Sequence, residues 1–294
     1  MMAPMLTLLA KPAPDAAQYA SPIWLLSDGR SGSTWFSQLL NFHGRFHVEH
    51  EPVHPHFTPQ LAGTGLLPMP CDPRLDTLYA PLLSDILGAR YVTHRFGDDQ
   101  GRREGLVIRD IFALLIAPRL LQQFPQIRPV VLVRHPAQVA QSKLALSEWD
   151  WFCDVGQFAQ DPQIMACFPG LAREIGRATT LFRKYVLSWA VCHAYFFAHV
   201  PREQVTLVRY PAGQAETARQ IEAILRDSGA EWSTTSDQFA EAWQRRSPTD
   251  KPPRHQNLLS RLRARLGPGT GLSWRDKAYA ERIIDQFGLR GLLG

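Results

Sequence analysis

The sequence predicts an α/β protein in which a mostly parallel central sheet is flanked by helices. Short apolar runs bounded by turn residues alternate along the chain with segments of helical periodicity, and this alternation is typical of parallel sheets covered on both faces. The apolar runs are continuous, as expected of strands that are buried on both sides. With 294 residues, 45% of them hydrophobic, the chain is long enough to bury a large core.

The first predicted strand and helix flank a turn. Ser21–Ser27 (SPIWLLS) is an apolar run that ends at Asp28-Gly29. From Ser33 onward, aromatic and leucine residues recur at the spacing of a helix, and Ser33 or Thr34 is expected to cap its start. The chain is therefore predicted to run from a strand through a glycine-containing turn into a helix.

The later elements follow the same alternation. Further strands are predicted at Phe46–Glu51, Gly105–Arg109, Pro129–Val133 and Val205–Val208. Helices are predicted at Phe112–Phe124, Val139–Leu146, Thr179–His199 and Ala215–Arg226, with a helical and basic tail. Thr58–Leu83, rich in proline and glycine, is expected to be a surface loop, and Glu148–Pro169 to be irregular. Pro118 is expected to kink its helix.

Composition and charge argue against several classes of function. The net charge of +5 and the pI of about 9.2 suit an anionic ligand. The basic residues are dispersed apart from a run at Arg261, Arg263 and Arg265, so nucleic-acid binding is not expected. The four cysteines form no C-x-x-C pair, which argues against zinc and dithiol sites and for a reduced compartment.

The sequence shows no targeting or membrane segment. The apolar patch Leu6–Ala10 is too short for a secretory signal, and no apolar stretch reaches the roughly 18 residues of a membrane span. We therefore expect a cytoplasmic protein, with residues 1–20 as a flexible N-terminus and residues 21–294 as a single domain.

An anion-binding loop is predicted at Asp28–Trp35 (DGRSGSTW). A helix N-terminus leaves N–H groups unpaired and carries a positive partial charge, and glycines let an anion approach them. The hydroxyls of Ser31, Ser33 and Thr34 and the guanidinium of Arg30 add further donors. No lysine follows the second glycine, so this is not the Walker A loop of a magnesium-dependent ATPase or GTPase. The competing interpretation is a tight turn with a serine or threonine cap.

A second candidate for anion binding lies at the end of the Pro129–Val133 strand. Arg134 stands at its carboxyl end, where open α/β sheets bind ligands, and Ser142 follows eight residues later on the next helix. An arginine offers a bidentate grip on a phosphate, and a serine offers a single donor. The alternative is an arginine that only closes the strand in solvent.

Both candidates resemble one family of enzymes. Leu25–Phe36 (LLSDGRSGSTWF) resembles the 5′-phosphosulfate loop of the sulfotransferases that use PAPS, 3′-phosphoadenosine 5′-phosphosulfate. Val131–Ser142 (VLVRHPAQVAQS) resembles their 3′-phosphate element, including the Arg-to-Ser interval, with His135 where many members have Asp or Asn. Arginine at the position of Arg30 is typical of carbohydrate-type and bacterial members. The resemblance implies a P-loop-like three-layer fold that binds PAPS without a metal.

The resemblance also implies roles for the residues of the two elements. Arg30 would contact the transferring group, and Arg134 and Ser142 would bind the 3′-phosphate. The donor-binding loop residues would be Ser31, Gly32, Ser33, Thr34 and Trp35, with Gly32, Ser33 and Thr34 at the 5′-phosphate.

Two further segments resemble the family more loosely. Val205–Tyr210 (VTLVRY) resembles the family's strand that ends in Arg-Tyr, which implies that Tyr210 lies near the adenine. Pro211-Ala212-Gly213 replaces the Glu-Asp-Leu that often follows there, and a plain strand-end tyrosine is the alternative. In the tail, Arg265 or Arg263 would close over the 3′-phosphate, a basic solvated helix face being the alternative.

The general base is expected first at Glu51. Glu51-Pro52 follows Arg30 by 21 residues and resembles the Glu-Pro of several carbohydrate sulfotransferases, whose glutamate is the base. The alternative is that Glu51 only pairs with a nearby arginine. Asp110 and His94 are the other candidates for the base. Four histidines lie near Glu51, but their spacing fits no zinc signature.

Together these features predict transfer of a sulfuryl group from PAPS to an acceptor hydroxyl by in-line displacement, with release of PAP, 3′-phosphoadenosine 5′-phosphate. The acceptor is expected to be a small molecule or a glycan, with carbohydrate slightly favoured, and to be selected by Thr58–Asp99 and Ser147–Pro169. One alternative is a kinase-like P-loop transferase, for which the Walker lysine is missing. The other is a non-catalytic module that binds a nucleotide or anion.

Overall fold

The computed structural model describes residue 19 and residues 21–91, 104–146, 154–210, 212–229, 237–245 and 272–294. The predicted flexible N-terminus, apart from residue 19, lies outside these ranges, as do His94, residues 147–153 and the tail arginines 261–265. The assignment of residues 21–294 to one domain stays a prediction.

Five parallel strands form the central sheet in the order β2-β3-β1-β4-β5. They are β1 (Ile23–Ser27), β2 (Phe46–His50), β3 (Gly105–Asp110), β4 (Arg128–Arg134) and β5 (Thr206–Tyr210). β1 is central and pairs with β3 on one side and with β4 on the other. The strand order reverses beside β1, and the crevice at such a reversal is where open α/β sheets bind ligands. The predicted α/β class with a parallel sheet is confirmed.

Helices cover both faces of this sheet. Within the described residues the α-helices are α1 (Ser33–Leu40), α2 (Ala80–Leu87), α3 (Ala117–Gln123), α4 (Pro136–Leu144), α5 (Pro162–Cys167), α6 (Leu171–Arg177), α7 (Leu181–His199), α8 (Gln214–Asp227), α9 (Asp237–Gln244), α10 (Trp274–Gln286) and α11 (Arg290–Leu293). Short 3₁₀ turns lie at Pro59–Leu61, Val155–Gln160 and Arg202–Gln204, and a π-helical turn lies at Leu75–Tyr79.

The buried side chains of β1 show why the fold has three layers. Successive strand residues point to opposite faces. Ile23 and Leu25 pack in one core with residues of α1 and α8, whereas Trp24 and Leu26 pack in a larger core that includes α7. Because both faces of β1 are apolar and buried, the strand lies between two layers of helices.

The strand register brings the candidate functional residues to one edge of the sheet. Leu26 pairs with Asp110 across β1 and β3, Ser27 pairs with Leu132, and Arg134 pairs with Tyr210. The carboxyl ends of the inner strands therefore meet beside the loop that follows β1.

Two prolines lie in the first turns of helices that start at other residues than the sequence analysis predicted. The predicted kink at Pro118 is wrong, because α3 starts at Ala117 and Pro118 lies in its first turn. The buried residues before it, from Ile111 to Ile116, are not helical. α4 likewise starts at Pro136, earlier than predicted, with the His135 ring accepting the Ala137 N–H. Proline is favoured in the first turn of a helix, because an N–H group at that position would have no acceptor within the helix.

The segments predicted to be loops carry more structure than expected. Thr58–Leu83 is not simply a surface loop, because Leu61, Leu67 and Tyr79 are buried and the Leu75–Tyr79 turn leads into α2. The described part of Glu148–Pro169 contains a 3₁₀ turn and α5, and the Asp161 carboxylate accepts two N–H groups at the start of α5. Proline and glycine indicated that the backbone of these segments is irregular. The apolar side chains between them are buried nevertheless, and they pack the segments against the core.

In the part of the chain that the structure describes, no helix is both long enough and apolar enough to cross a bilayer.

Candidate functional site: the loop after the first strand

The loop after β1 turns sharply before α1. Arg30 has φ 70° and Gly32 has φ 97°, and the Ser31 N–H donates to the Asp28 carbonyl at 3.2 Å. Gly32 occupies the N-cap position of α1, and no side chain caps the helix. The predicted cap by Ser33 or Thr34 is therefore wrong, because Ser33 is already the first helical residue. Amides at a helix start that lacks a side-chain cap suit an anionic ligand.

The Ser31 hydroxyl lies at the centre of this turn. Its residue is fully buried, and among the described residues its Oγ has no hydrogen-bond partner. Buried hydroxyls normally find a partner in the protein, in water or in a ligand. A hydroxyl in this position is able to donate to an anion that binds at the loop.

Arg30 joins the two elements that the sequence singled out. Its Nε donates to the Oγ of Ser142 on α4 at 3.2 Å, and its carbonyl accepts from Arg134 Nη1 at 3.0 Å. Arg134 also donates from Nε to Gln138 Oε1 at 3.2 Å. The structure thus brings Arg30 together with Arg134 and Ser142, which lie more than 100 residues further along the chain.

Aromatic side chains also lie beside the loop. The Tyr210 ring lies 5.4 Å from the Arg134 guanidinium, and a Cβ atom added to Gly32 would lie 3.2 Å from that ring. Trp35 packs edge-on against Tyr210, with ring centres 5.7 Å apart, and against Trp243 of α9 at 5.0 Å. Tyr210 and Trp35 therefore lie beside the loop, and their roles in binding the donor stay predictions, while Trp243 was not singled out by the sequence.

Glu51 follows β2 and pairs with a buried arginine. Arg109 Nη2 donates to Glu51 Oε1 at 2.7 Å, and both side chains are almost fully buried. Arg109 also donates to His50 Nδ1 at 3.1 Å and to Ser33 Oγ at 3.4 Å. Glu51 therefore forms an ion pair with an arginine, which the alternative interpretation of Glu51 expected. Arg109 also connects Glu51 to Ser33, the first residue of α1.

The sequence analysis missed Arg109, although a signal for it was present. It lies near the carboxyl end of β3, in the apolar run GLVIR, where a charged residue needs a partner if the strand is buried. The same reasoning that selected Arg134 at the end of β4 applies to it.

Arg30 and Glu51 also share an unusual backbone conformation. Among the described residues, the non-glycine residues with positive φ are Arg30, Glu51 (φ 51°) and Ala89. Such conformations cost on the order of 1–3 kcal/mol and concentrate at functional sites. Two of these three residues are the ones expected to act in group transfer.

Asp110 lies deeper than Glu51. It is fully buried, and its carboxylate accepts the N–H of Val53 at 3.1 Å and of Phe112 at 2.8 Å. Burial raises the pKa of Asp110 to about 7. Asp110 has no exposed surface, and both of its carboxylate oxygens accept backbone N–H groups, so it holds the turn after Glu51.

Within the described residues, no group of three or more His, Cys, Asp or Glu side chains could hold a metal ion. The buried His54 instead packs its ring against Phe57 and Phe112. Arg265 and His94 lie outside the described residues, so their predicted roles stay predictions.

A sequence profile described as the sulfotransferase family matches residues 22–234. The chain belongs to this family. The match includes both the loop after β1 and the Arg134–Ser142 element, so the family predicted from these two segments is confirmed. No curated protein matches this sulfotransferase at a significant level.

Solved structures of sulfotransferases resemble the chain at low sequence identity. A sulfotransferase from Alicyclobacillus acidocaldarius is 13% identical, with TM-score 0.44, over 97% of this chain and 96% of that one. The sulfotransferase domain of a Synechococcus olefin synthase is 14% identical, with TM-score 0.40, over 89% and 93%. A sulfotransferase from Mycobacterium avium is 13% identical, with TM-score 0.42, over 96% and 77%.

Proposed function

We propose that this sulfotransferase moves the sulfuryl group of PAPS to an acceptor hydroxyl and releases PAP. The observation that supports this most is the meeting of two anion-binding elements at Arg30, which contacts Ser142 through its side chain and Arg134 through its carbonyl. A nucleotide with phosphate groups on both the 3′ and the 5′ oxygen of its ribose needs two such elements side by side.

Each element is assigned to one end of the donor. The amides of Gly32, Ser33 and Thr34, with the Ser31 hydroxyl and the Arg30 guanidinium, bind the 5′-phosphosulfate. Arg134 and Ser142 bind the 3′-phosphate, which ATP lacks. Because the Arg30 side chain bonds to Ser142, donor binding exchanges that contact for contacts to phosphate oxygens.

The aromatic residues beside the loop are assigned to the base of the nucleotide. Tyr210 and Trp35 lie next to Gly32 and present ring surface close to the loop. Aromatic side chains stack on the flat faces of nucleobases, and this interaction needs no charged group. Arg265 is proposed to close over the 3′-phosphate from the tail.

The transfer itself needs a base and a cation. The acceptor oxygen forms a bond to sulfur while the bond between sulfur and the bridging oxygen breaks, and the electron pair of that bond remains on the 5′-phosphate of PAP. Arg30 stabilises the charge on the departing phosphate, and Glu51 takes the hydroxyl proton. Arg109 positions Glu51 by binding one carboxylate oxygen and linking it to the start of α1.

The acceptor is proposed to be a hydroxyl of a small molecule or glycan. The Glu51-Pro52 pair and the loop arginine support a carbohydrate, since both resemble carbohydrate sulfotransferases. The kinase-like alternative is disfavoured because a Walker lysine is absent from the loop sequence.

Titration calorimetry with PAP, run beside a labelled-sulfate transfer screen over hydroxyl acceptors, tests the proposal. Binding of PAP together with transfer supports it. Binding with no transfer to any acceptor class favours the non-catalytic module, and a folded protein that does not bind PAP excludes the proposal.

A further inference from the structure

A buried ion pair lies directly beneath the loop. Lys143 Nζ donates to both carboxylate oxygens of Asp28, at 2.7 and 2.8 Å. The Lys143 side chain is 0% exposed and that of Asp28 is 11% exposed. Neither residue has a role in the donor contacts proposed above.

The pair joins the first residue of the loop to α4. Asp28 directly follows β1, and its carbonyl accepts the Ser31 N–H. Lys143 comes directly after Ser142, whose hydroxyl accepts from Arg30. One helix therefore holds the loop at two points, through Lys143 at its base and through Ser142 at Arg30.

α7 completes the surroundings of the pair. The Lys143 ammonium lies 5.2 Å from the ring centre of Tyr185, and both charges interact electrostatically with Cys192 and His193. Burial lowers the pKa of His193 to about 4, so this neighbour is neutral at neutral pH. The Asp28 carboxylate is the charge that lies against the Lys143 ammonium.

The position of the ammonium also separates it from a phosphate-binding lysine. A Walker lysine extends from the loop toward phosphate, whereas Lys143 approaches the loop from α4 and has no exposed surface with which to touch a ligand. Its contact with the nucleotide site passes through Asp28.

We infer that Asp28 and Lys143 are a positioning pair that fixes the loop on α4. The pair thereby keeps Arg30 of the loop within contact distance of Ser142 on α4. Only the consequence for donor binding rests on the proposed function; the fixing of the loop does not. A buried ion pair of this kind is weak evidence for stability, and the geometry assigns it to positioning the loop instead.

Four variants separate a positioning role from a structural one. Lys143→Met leaves a buried carboxylate without its counter-ion and is expected to lower the unfolding midpoint. The double variant D28N/K143M removes both charges at similar volume and is expected to regain most of that midpoint. D28N alone leaves the buried Lys143 ammonium without its counter-ion, so it is also expected to lower the unfolding midpoint, although the amide oxygen still accepts from Lys143. D85N/R90M, which removes an exposed ion pair joined at 2.7 Å, is the control.

Hydrogen exchange, measured without added nucleotide, reports directly how firmly the loop is held. The amides of residues 29–34 in D28N/K143M are expected to exchange about tenfold faster than in the wild type, with the control unchanged. In addition, the KM for PAPS and the Kd for PAP are expected to rise about tenfold, with a smaller change in kcat.

The inference is overturned if the double variant is folded and keeps wild-type exchange in residues 29–34. If the double variant does not fold, D28N decides by the same exchange measurement. A wild-type protein that fails to bind PAP contradicts the proposed function alone, because the exchange experiment needs no nucleotide.

Discussion

Arg134 Nη1 donates a hydrogen bond to the backbone carbonyl oxygen of Arg30 at 3.0 Å, across 104 residues of sequence. Because a carbonyl accepts this bond, the arrangement of Arg134 does not depend on which side chain occupies position 30. The end of β4 is thus connected to the backbone of the loop after β1.

Arg134→Ala is expected to weaken PAP binding about 10- to 100-fold, because hydrogen bonds to charged groups contribute about 1.5–3 kcal/mol. Binding of AMP, which lacks the 3′-phosphate, is expected to change much less. Titration calorimetry with both nucleotides measures the difference. Arg128→Ala, at the exposed start of the same strand, is the control, and an equal loss for PAP and AMP contradicts the assignment.

Glu51→Gln is expected to lower kcat by roughly 10²–10⁴ with little change in PAP affinity. The glutamine oxygen still accepts from Arg109, so the variant removes the base and keeps the contact. Steady-state transfer assays and calorimetry measure the two quantities. Glu104→Gln, in an exposed pair with Arg45, is the matched control. Unchanged turnover in Glu51→Gln would remove this carboxylate from the reaction.

Gly32→Ala is expected to lower both stability and nucleotide binding. Its φ of 97° costs a side chain roughly 1–2 kcal/mol, and the new Cβ meets the Tyr210 ring at 3.2 Å. Gly63→Ala has the same kind of strain (φ 81°) with no atom within 4 Å, so it is expected to lose stability alone. Thermal unfolding and PAP titration compare them. Equal PAP affinity in both variants argues against an anion site at this turn.

The stability of the protein is expected to carry a pH dependence from Asp110. Burial raises its pKa from 3.8 to about 7. Between these two pH values the folded state keeps a proton on Asp110 that the unfolded state has lost. This contribution is present below about pH 4, is lost as the pH rises through 7, and amounts to on the order of 4 kcal/mol.

Urea unfolding of the wild type and of Asp110→Asn between about pH 5 and about pH 8 isolates this contribution. The wild-type free energy of unfolding is expected to fall relative to that of the variant as the pH rises. The buried His193 titrates in both proteins and cancels in the comparison. A difference between the two proteins that stays constant over this range contradicts the expectation.

The sequence predicted those parts of the fold and site that local patterns encode. Continuous apolar runs identified β1, β3, β4 and β5 to within a few residues. Arg134 and Ser142 were found because both belong to one strand–helix connection. Trp243 and Lys143 were missed because each acts through contacts with residues from distant segments. Arg109 was missed although its place near the end of β3 was a local signal, and only its partner Glu51 lies in a distant segment.

By itself the sequence determined an α/β fold with a glycine-containing turn and hydroxyls at a helix start, since strand runs and turn residues are local features. The resemblance of the segments around Arg30 and Arg134 to known sulfotransferases identified the family. Only the tertiary structure decided that Arg30 meets Ser142 and Arg134, that Glu51 is held by Arg109, and that Lys143 neutralises Asp28. The physical reason is that buried charges need partners, and the parallel strand register fixes which distant partner is within reach.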